Sequence, residues 1–124
     1  MKIIRFEDLQ IWKDSVRLAK EIYQITSTFP KEERFGIVDQ MRRASVSVGA
    51  NIAEGFGRYH QKEKLHFYFI SRGSLMELQH FIYVSNELGF IDGSQKDEIL
   101  ERTQLLLYSL LAYGKQLNKI AMHS

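Results

Sequence analysis

Cysteine is absent from these 124 residues, and proline occurs once. Without thiols the chain has no disulfide framework, no thiolate nucleophile and no sulfur ligand for a metal, and its composition suits a reducing, cytoplasmic setting. A single proline leaves long stretches in which helical hydrogen bonding need not break. A membrane-length hydrophobic run is missing too. The longest apolar stretch, Leu105 to Tyr113, is about half of the roughly 20 residues that span a bilayer, so no membrane partner is expected. The opening MKIIRFEDLQ meets charge before a signal core of about 7 to 15 apolar residues is built, and export is not expected. An excess of one charge is equally scarce, with 17 Lys and Arg against 15 Asp and Glu for a net +2. Totals of this kind predict no dominant polyanion-binding surface. Any such surface must come from distribution, and the excess lies in residues 1–58, with Arg42, Arg43 and Arg58 its densest part.

What is present is apolar periodicity. Hydrophobic content is 44%, and the length fits one domain over 1–124, since domains commonly run about 100 to 150 residues. Such a chain buries roughly two thirds of its unfolded surface. Four helical segments are predicted, over about 8–28, 36–56, 61–88 and 95–118, joined by short connections that favour antiparallel neighbours. The expected fold is all-α, an up-down-up-down four-helix bundle.

On the first segment Leu9, Trp12, Val16, Ala19 and Tyr23 recur at three- and four-residue spacing, with Leu18, Ile22, Ile25 and Phe29 beside them. Pro30 closes this helix near Ser27 or Thr28, because a proline disfavours helical geometry in the residue before it. The second segment carries Ile37, Met41, Ala44, Val48 and Ile52, and ends at Gly55 and Gly57. The third directs Leu65, Phe69, Leu75, Met76, Leu78, Ile82 and Tyr83 inward, with Gly89 as a left-handed C-terminal cap. Ser94 is the expected N-cap of the fourth, whose stripe is Ile99, Thr103, Leu106, Leu110, Tyr113 and Leu117 with Leu107 and Leu111 alongside. Fraying is expected after Asn118.

The second segment is unusual. Ser45, Gly49 and Ala53 sit at four-residue spacing where Leu or Ile would be ordinary, and a helix glycine costs about 1 kcal/mol against alanine. Close approach of another backbone compensates, from a helix of the same bundle or from a second subunit. Arg43, Ser47, Asn51 and Glu54 fall in one angular sector, which Arg58 extends. This polar line reads as a solvated face or register-setting network on one account, and as a contact surface for nucleic acid or protein on the other. Arginine suits phosphate because its guanidinium donates two parallel hydrogen bonds.

Catalytic constellations do not assemble. Glu63–His66 and Glu77–His80 each have the Glu-x-x-His spacing of dinuclear metal sites. Those sites draw the two pairs from different helices, whereas here both share one helix and stand roughly 21 Å apart at about 1.5 Å per residue. Only pairing between subunits would rescue them, with Glu21 and Glu101 as candidate further ligands. No metal and no cofactor are expected. Ser71-Arg72-Gly73-Ser74 lacks the Gly-Lys-Ser/Thr ending of a phosphate loop and reads as mid-helix. Four scattered histidines supply no triad or acid–base pair, so no catalytic residue is assigned. The run His66-Phe67-Tyr68-Phe69 suggests base stacking, although Phe69 and one of its two predecessors read as core and interface.

The segments FEDLQIWKDS, FPKEERFGIVDQMRRASVSVGANIAEGFGR and FYFISRGSLMELQHFI together resemble the four-helix-bundle proteins encoded by intervening sequences in bacterial 23S rRNA genes. Gly49 departs from this pattern, where the family often has proline, and glycine is expected to leave that helix straighter and more flexible. The resemblance implies an antiparallel bundle that assembles as a ring-like homopentamer. It also implies kinship with the accessory variability determinant proteins of diversity-generating retroelements, which bind a reverse transcriptase and nucleic acid. The expected function is a non-enzymatic, homo-oligomeric scaffold that binds RNA or DNA, with Arg42, Arg43 and Arg58 as candidate phosphate contacts. Ser45, Ser47, Gly49, Asn51, Ala53 and Glu54 are candidate oligomer or helix-packing residues. The alternative is a protein-only adaptor, in which Arg43, Asn51 and Glu54 are held in subunit contacts.

Overall fold

The computed structural model describes residues 5–123. Met1 to Ile4, part of the segment read for a signal core, lie outside the described residues, as does Ser124. Helix α1 spans Gln10–Thr26, α2 Ile37–Phe56, α3 Gln61–Glu87 and α4 Gly93–His123. Short 3₁₀ turns at Phe6–Asp8 and Lys31–Glu33 precede α1 and α2. No strand occurs among the described residues. Consecutive helices pack as neighbours and α4 returns to α1, while among the described residues the backbones of the diagonal pairs stay apart. This is the cyclic order of the expected all-α, up-down-up-down bundle. The α2–α3 pairing is the most extensive and α1–α4 the least.

Helix ends follow local chemistry. Ser27 closes α1 three residues before Pro30, and Gly57 closes α2. Gly89 has φ +78°, and the Phe90 amide donates to Ser85 O at 2.9 Å while the Gly89 amide donates to Asn86 O at 3.0 Å. That pair of bonds is the Schellman arrangement, which satisfies carbonyls at the end of α3. Helix α4 begins two residues earlier than expected, so Asp92 rather than Ser94 is its N-cap. Asp92 Oδ1 accepts from the Gln95 amide at 2.8 Å, and Gln95 Oε1 accepts from the Asp92 amide at 2.9 Å. A reciprocal capping box has formed with an aspartate in the leading position. Helix α4 also continues to His123, beyond the fraying expected after Asn118.

The core contains Ile22, Met41, Val48, Leu75, Leu78, Ile82 and Leu110, all fully buried. The stripes expected on α2 and α4 hold, except that Ile37 and Tyr113 are half-buried and Leu111 is exposed. Those expected on α1 and α3 hold in part: Leu18, Ile22 and Phe29 of the flanking row, and Leu75, Leu78 and Ile82, are buried as expected, and the rest need correction. On α1 the buried line is Ile11, Ser15, Leu18, Ile22 and Thr26, while Val16 and Tyr23 are exposed. On α3 the line is Tyr68, Ser71, Leu75, Leu78, Ile82 and Ser85, while Phe69, Met76 and Tyr83 form an exposed row one residue away. Both true stripes include hydroxyl residues, and on α1 the neighbouring row of Leu9, Trp12, Val16, Ala19 and Tyr23, free of them, gave the stronger periodic signal.

Two glycines test how tightly the helices meet. Gly114 is buried, and a Cβ there would overlap the hydroxyl end of the Tyr68 ring, whereas a Cβ at Gly73 has no neighbour within 4 Å. Gly73→Ala should therefore raise unfolding free energy by up to about 1 kcal/mol through helix propensity. Gly114→Ala should lower it by about 1 to 3 kcal/mol, because the displaced ring outweighs the propensity gain. Urea denaturation of both variants checks the opposite signs.

The α1–α4 seam is thin, and Arg102 bridges it by donating to Glu21 on α1 and Glu98 on its own helix. Grooves of about 240 and 310 Å³ flank this cluster. Glu21 holds the Arg102 guanidinium above its ordinary pKa range by hydrogen bonding and charge. Arg102→Glu should lower the thermal midpoint, and by more in dilute buffer than at about 1 M salt, where charges more than about 3 Å apart are screened.

Candidate nucleic-acid interface

The three arginines assigned to phosphate contact do not form one patch. Arg42 turns toward the end of α1. Its Nε donates to Thr26 Oγ1 at 3.0 Å and its Nη2 to Tyr23 O at 3.3 Å, with the guanidinium 4.5 Å from the Tyr23 ring centroid. Those contacts satisfy α1 groups near its C-terminus and place a cation where the helix dipole is negative. Arg43 stands free of the bundle with its side chain 80% exposed, bonded to Asp39 one turn earlier at 3.0 Å. Arg58 lies beyond the other end of α2, about 22 Å from Arg43 at the helical rise of about 1.5 Å per residue. It bonds to Glu54 at 3.2 Å and covers the Phe67 ring at 4.7 Å.

The polar line on α2 changes character along its length. Arg43 and the Glu54–Arg58 pair face solvent. Between them, Ser47 Oγ meets Ser74 Oγ at 2.9 Å, and Asn51 Nδ2 donates to Ser47 O and Oγ at 2.9 and 3.0 Å. These half-buried groups set the α2–α3 register. Beside them Ser71 Oγ donates across the seam to Val48 O at 2.7 Å. Lys64 Nζ donates to Phe56 O at 2.8 Å, and burial holds its ammonium below the usual lysine pKa range.

The small-residue series faces the other neighbour. Ser45 and Gly49 are buried, and a Cβ on Gly49 would collide with Ser15 Oγ of α1. Ala53 is half-buried. Gly49 thus serves helix packing within the bundle. The outer rim of this contact is a groove of about 310 Å³ between α1 and α2, lined by Trp12, Val16, Ala19, Val46 and Ala50 and by no charged side chain.

A second groove, of about 640 Å³, runs between α3 and α4. Sequence reasoning noted the aromatic run 66–69 as a stacking candidate but missed the groove itself, and it read Phe69, here exposed, as core or interface. Tyr68 lies on the backbone of α4 at Gly114, while Phe69 and Tyr108 stand exposed at its sides. Arg72 sits 5.0 Å from the Phe69 centroid and 5.6 Å from that of Tyr68. Lys115 adds a second cation to the lining, which contains no acidic residue. The available signal was the three-residue spacing of Phe69 and Arg72, an aromatic and a cation on one helical face.

Among the described residues, no group of three or more His, Cys, Asp or Glu gathers to hold a metal. Glu21 is engaged by Arg102 instead. Ser71 to Ser74 lie in the middle of α3, as expected of a helix and not of a phosphate loop. No helix among the described residues is long and apolar enough to cross a membrane.

The family model of the 23S rRNA-intervening sequence protein matches residues 7–112. The chain belongs to that family. No curated protein matches it. Among solved structures it is similar to a protein of unknown function from the S23 ribosomal protein family of Bacteroides thetaiotaomicron VPI-5482, at 18% identity and a TM-score of 0.76. The alignment covers 85% of this chain and 98% of the other, and it shows that this intervening-sequence protein shares the bundle fold.

The two adjacent arginines separate by their surroundings. Arg42→Ala should lower unfolding free energy by about 1 to 2 kcal/mol, since it removes two hydrogen bonds and a ring contact. Arg43→Ala should change it by less than about 0.5 kcal/mol, as befits an exposed pair. Parallel denaturant titrations of the two variants check the difference.

Proposed function

We propose that this intervening-sequence protein is a cytoplasmic, non-enzymatic scaffold that assembles with copies of itself, as a pentamer, and binds RNA or DNA. The observation that carries the assembly is the α1–α2 groove. It is apolar, free of charge, built on small residues and bordered by Val16 and Val46, which are 47% and 49% exposed. Interface cores have this depletion of charge, and small residues let a second helix approach closely. The family resemblance supplies the number five, and kinship with the accessory variability determinant proteins supports a nucleic-acid partner.

Assembly changes what a net charge of +2 can do. Arg43 and Arg58 are each paired with a carboxylate at the surface, and one copy of either is a weak phosphate site. Repetition around a ring presents several such sites to one polyanion, and linked sites raise avidity by about 10²- to 10⁴-fold when geometry allows simultaneous contact. The same carboxylate pairing favours the second reading, a ring that recruits another protein.

Native mass spectrometry should give about five times the 14.5 kDa of one chain, and Val46→Asp should release monomers. A wild-type monomer would sink the assembly. Binding to structured RNA and duplex DNA should fall steeply between about 50 and 200 mM salt, and Arg43→Ala should shallow the logarithmic slope by about 0.7 to 0.9 for each phosphate left without its cation. Absence of binding at the lowest salt leaves the adaptor reading in place.

A further inference from the structure

We infer that the α3–α4 groove takes an unpaired nucleotide segment, with a base stacked on Tyr108 and Phe69 and a phosphate held by Arg72 and Lys115; this rests on the nucleic-acid reading above and gives it a site. The groove's volume of about 640 Å³ lies within the range of about 300 to 1,000 Å³ of clefts that enclose small planar ligands. A duplex, whose bases are stacked inward and present only edges, offers it no free base face. Phe69 is 51% exposed and Tyr108 61%, so both offer ring surface on which a splayed base can lie. Such stacking tolerates any base, because every base has a π-face.

Charge decides between this occupant and a second copy of the chain. Neither Arg72 nor Lys115 has an ion-pair partner among the described residues, unlike Arg43, Arg58 and Arg102. Both border the groove, and no carboxylate lines it. Against the same face of a second copy it would set cations against cations, and against the charge-free α1–α2 groove it would leave both cations without a carboxylate, where interface cores are depleted in lysine. An anionic strand has the complementary charge. Arg72 is already held over two aromatic rings, which fixes a normally flexible guanidinium beside the stacking surface and lowers the entropy lost on phosphate binding. The floor depends on Gly114, since only the missing Cβ lets Tyr68 lie against α4.

The test compares fluorescein-labelled single-stranded oligoadenylate with blunt duplex RNA of equal length, by anisotropy at about 50 mM salt. Wild-type protein should prefer the single strand. Tyr108→Ala should weaken single-strand binding by about 5- to 100-fold, with little effect on the duplex, if a base stacks there. Lys115→Gln should shallow the single-strand salt slope by about 0.7. Native mass is recorded for each variant. Unchanged single-strand affinity in Tyr108→Ala, with wild-type binding intact, overturns the groove and leaves the scaffold's nucleic-acid role standing. A loss of oligomeric mass in Tyr108→Ala overturns it by making the groove a seam between copies. Failure of the wild type to bind either RNA or duplex DNA removes the nucleic-acid role and the groove together.

Discussion

Hydroxyl groups inside the helix contacts determine how close the four helices come. Ser15, Thr26, Ser45, Ser71, Ser85 and Thr103 are all at most 2% exposed. An unsatisfied buried hydroxyl costs about 1 to 3 kcal/mol, yet each of these has a partner. Ser15, Thr26, Ser45, Ser85 and Thr103 donate to carbonyls three or four residues earlier in their own helices, and Ser71 donates across to α2. Satisfying the hydroxyl at home leaves a small side chain at the contact, and the neighbouring helix moves in. Gly49 against Ser15 and Gly114 against Tyr68 take the same solution further.

This device explains which parts of the fold were legible. The apolar stripe of α2 and most of that of α4 could be read directly from periodicity, and so could the ends set by Pro30, Gly57 and Gly89. On α1 and α3 the buried row contains serine or threonine, and an adjacent row of larger apolar residues competes with it. Hydropathy passes over Ser15, Thr26, Ser71 and Ser85 because it counts a hydroxyl as polar without knowing that its hydrogen bond is internal. The N-cap of α4 shifted by two residues for a related reason: Asp92 and Gln95 satisfy each other's backbone amides, and Ser94 does not take part.

The candidate sites were legible only in residue type. Arg42 and Arg43 are adjacent in sequence, but successive helical residues point about 100° apart, and the neighbouring α1 terminus claims one of them. The small series declared close contact without saying with what. The α3–α4 groove needed Tyr68 and Gly114, far apart in the chain, to meet, and no local pattern reports such a meeting. The resulting molecule divides its surface by chemistry, with a charge-free apolar groove on the α1–α2 side and an aromatic, cationic one between α3 and α4.

An even number of antiparallel helices places the start of α1 and the end of α4 at the same pole. The seam between those two helices is also the thinnest, held across by Arg102 and Glu21. A circular permutant that began at α2 and ran α4 through a short linker into α1 would therefore turn the weakest contact into the interior of a covalent hairpin. It would do so without altering the lining of either groove, since neither spans that seam, and the two native connections it retains would keep the handedness of the bundle.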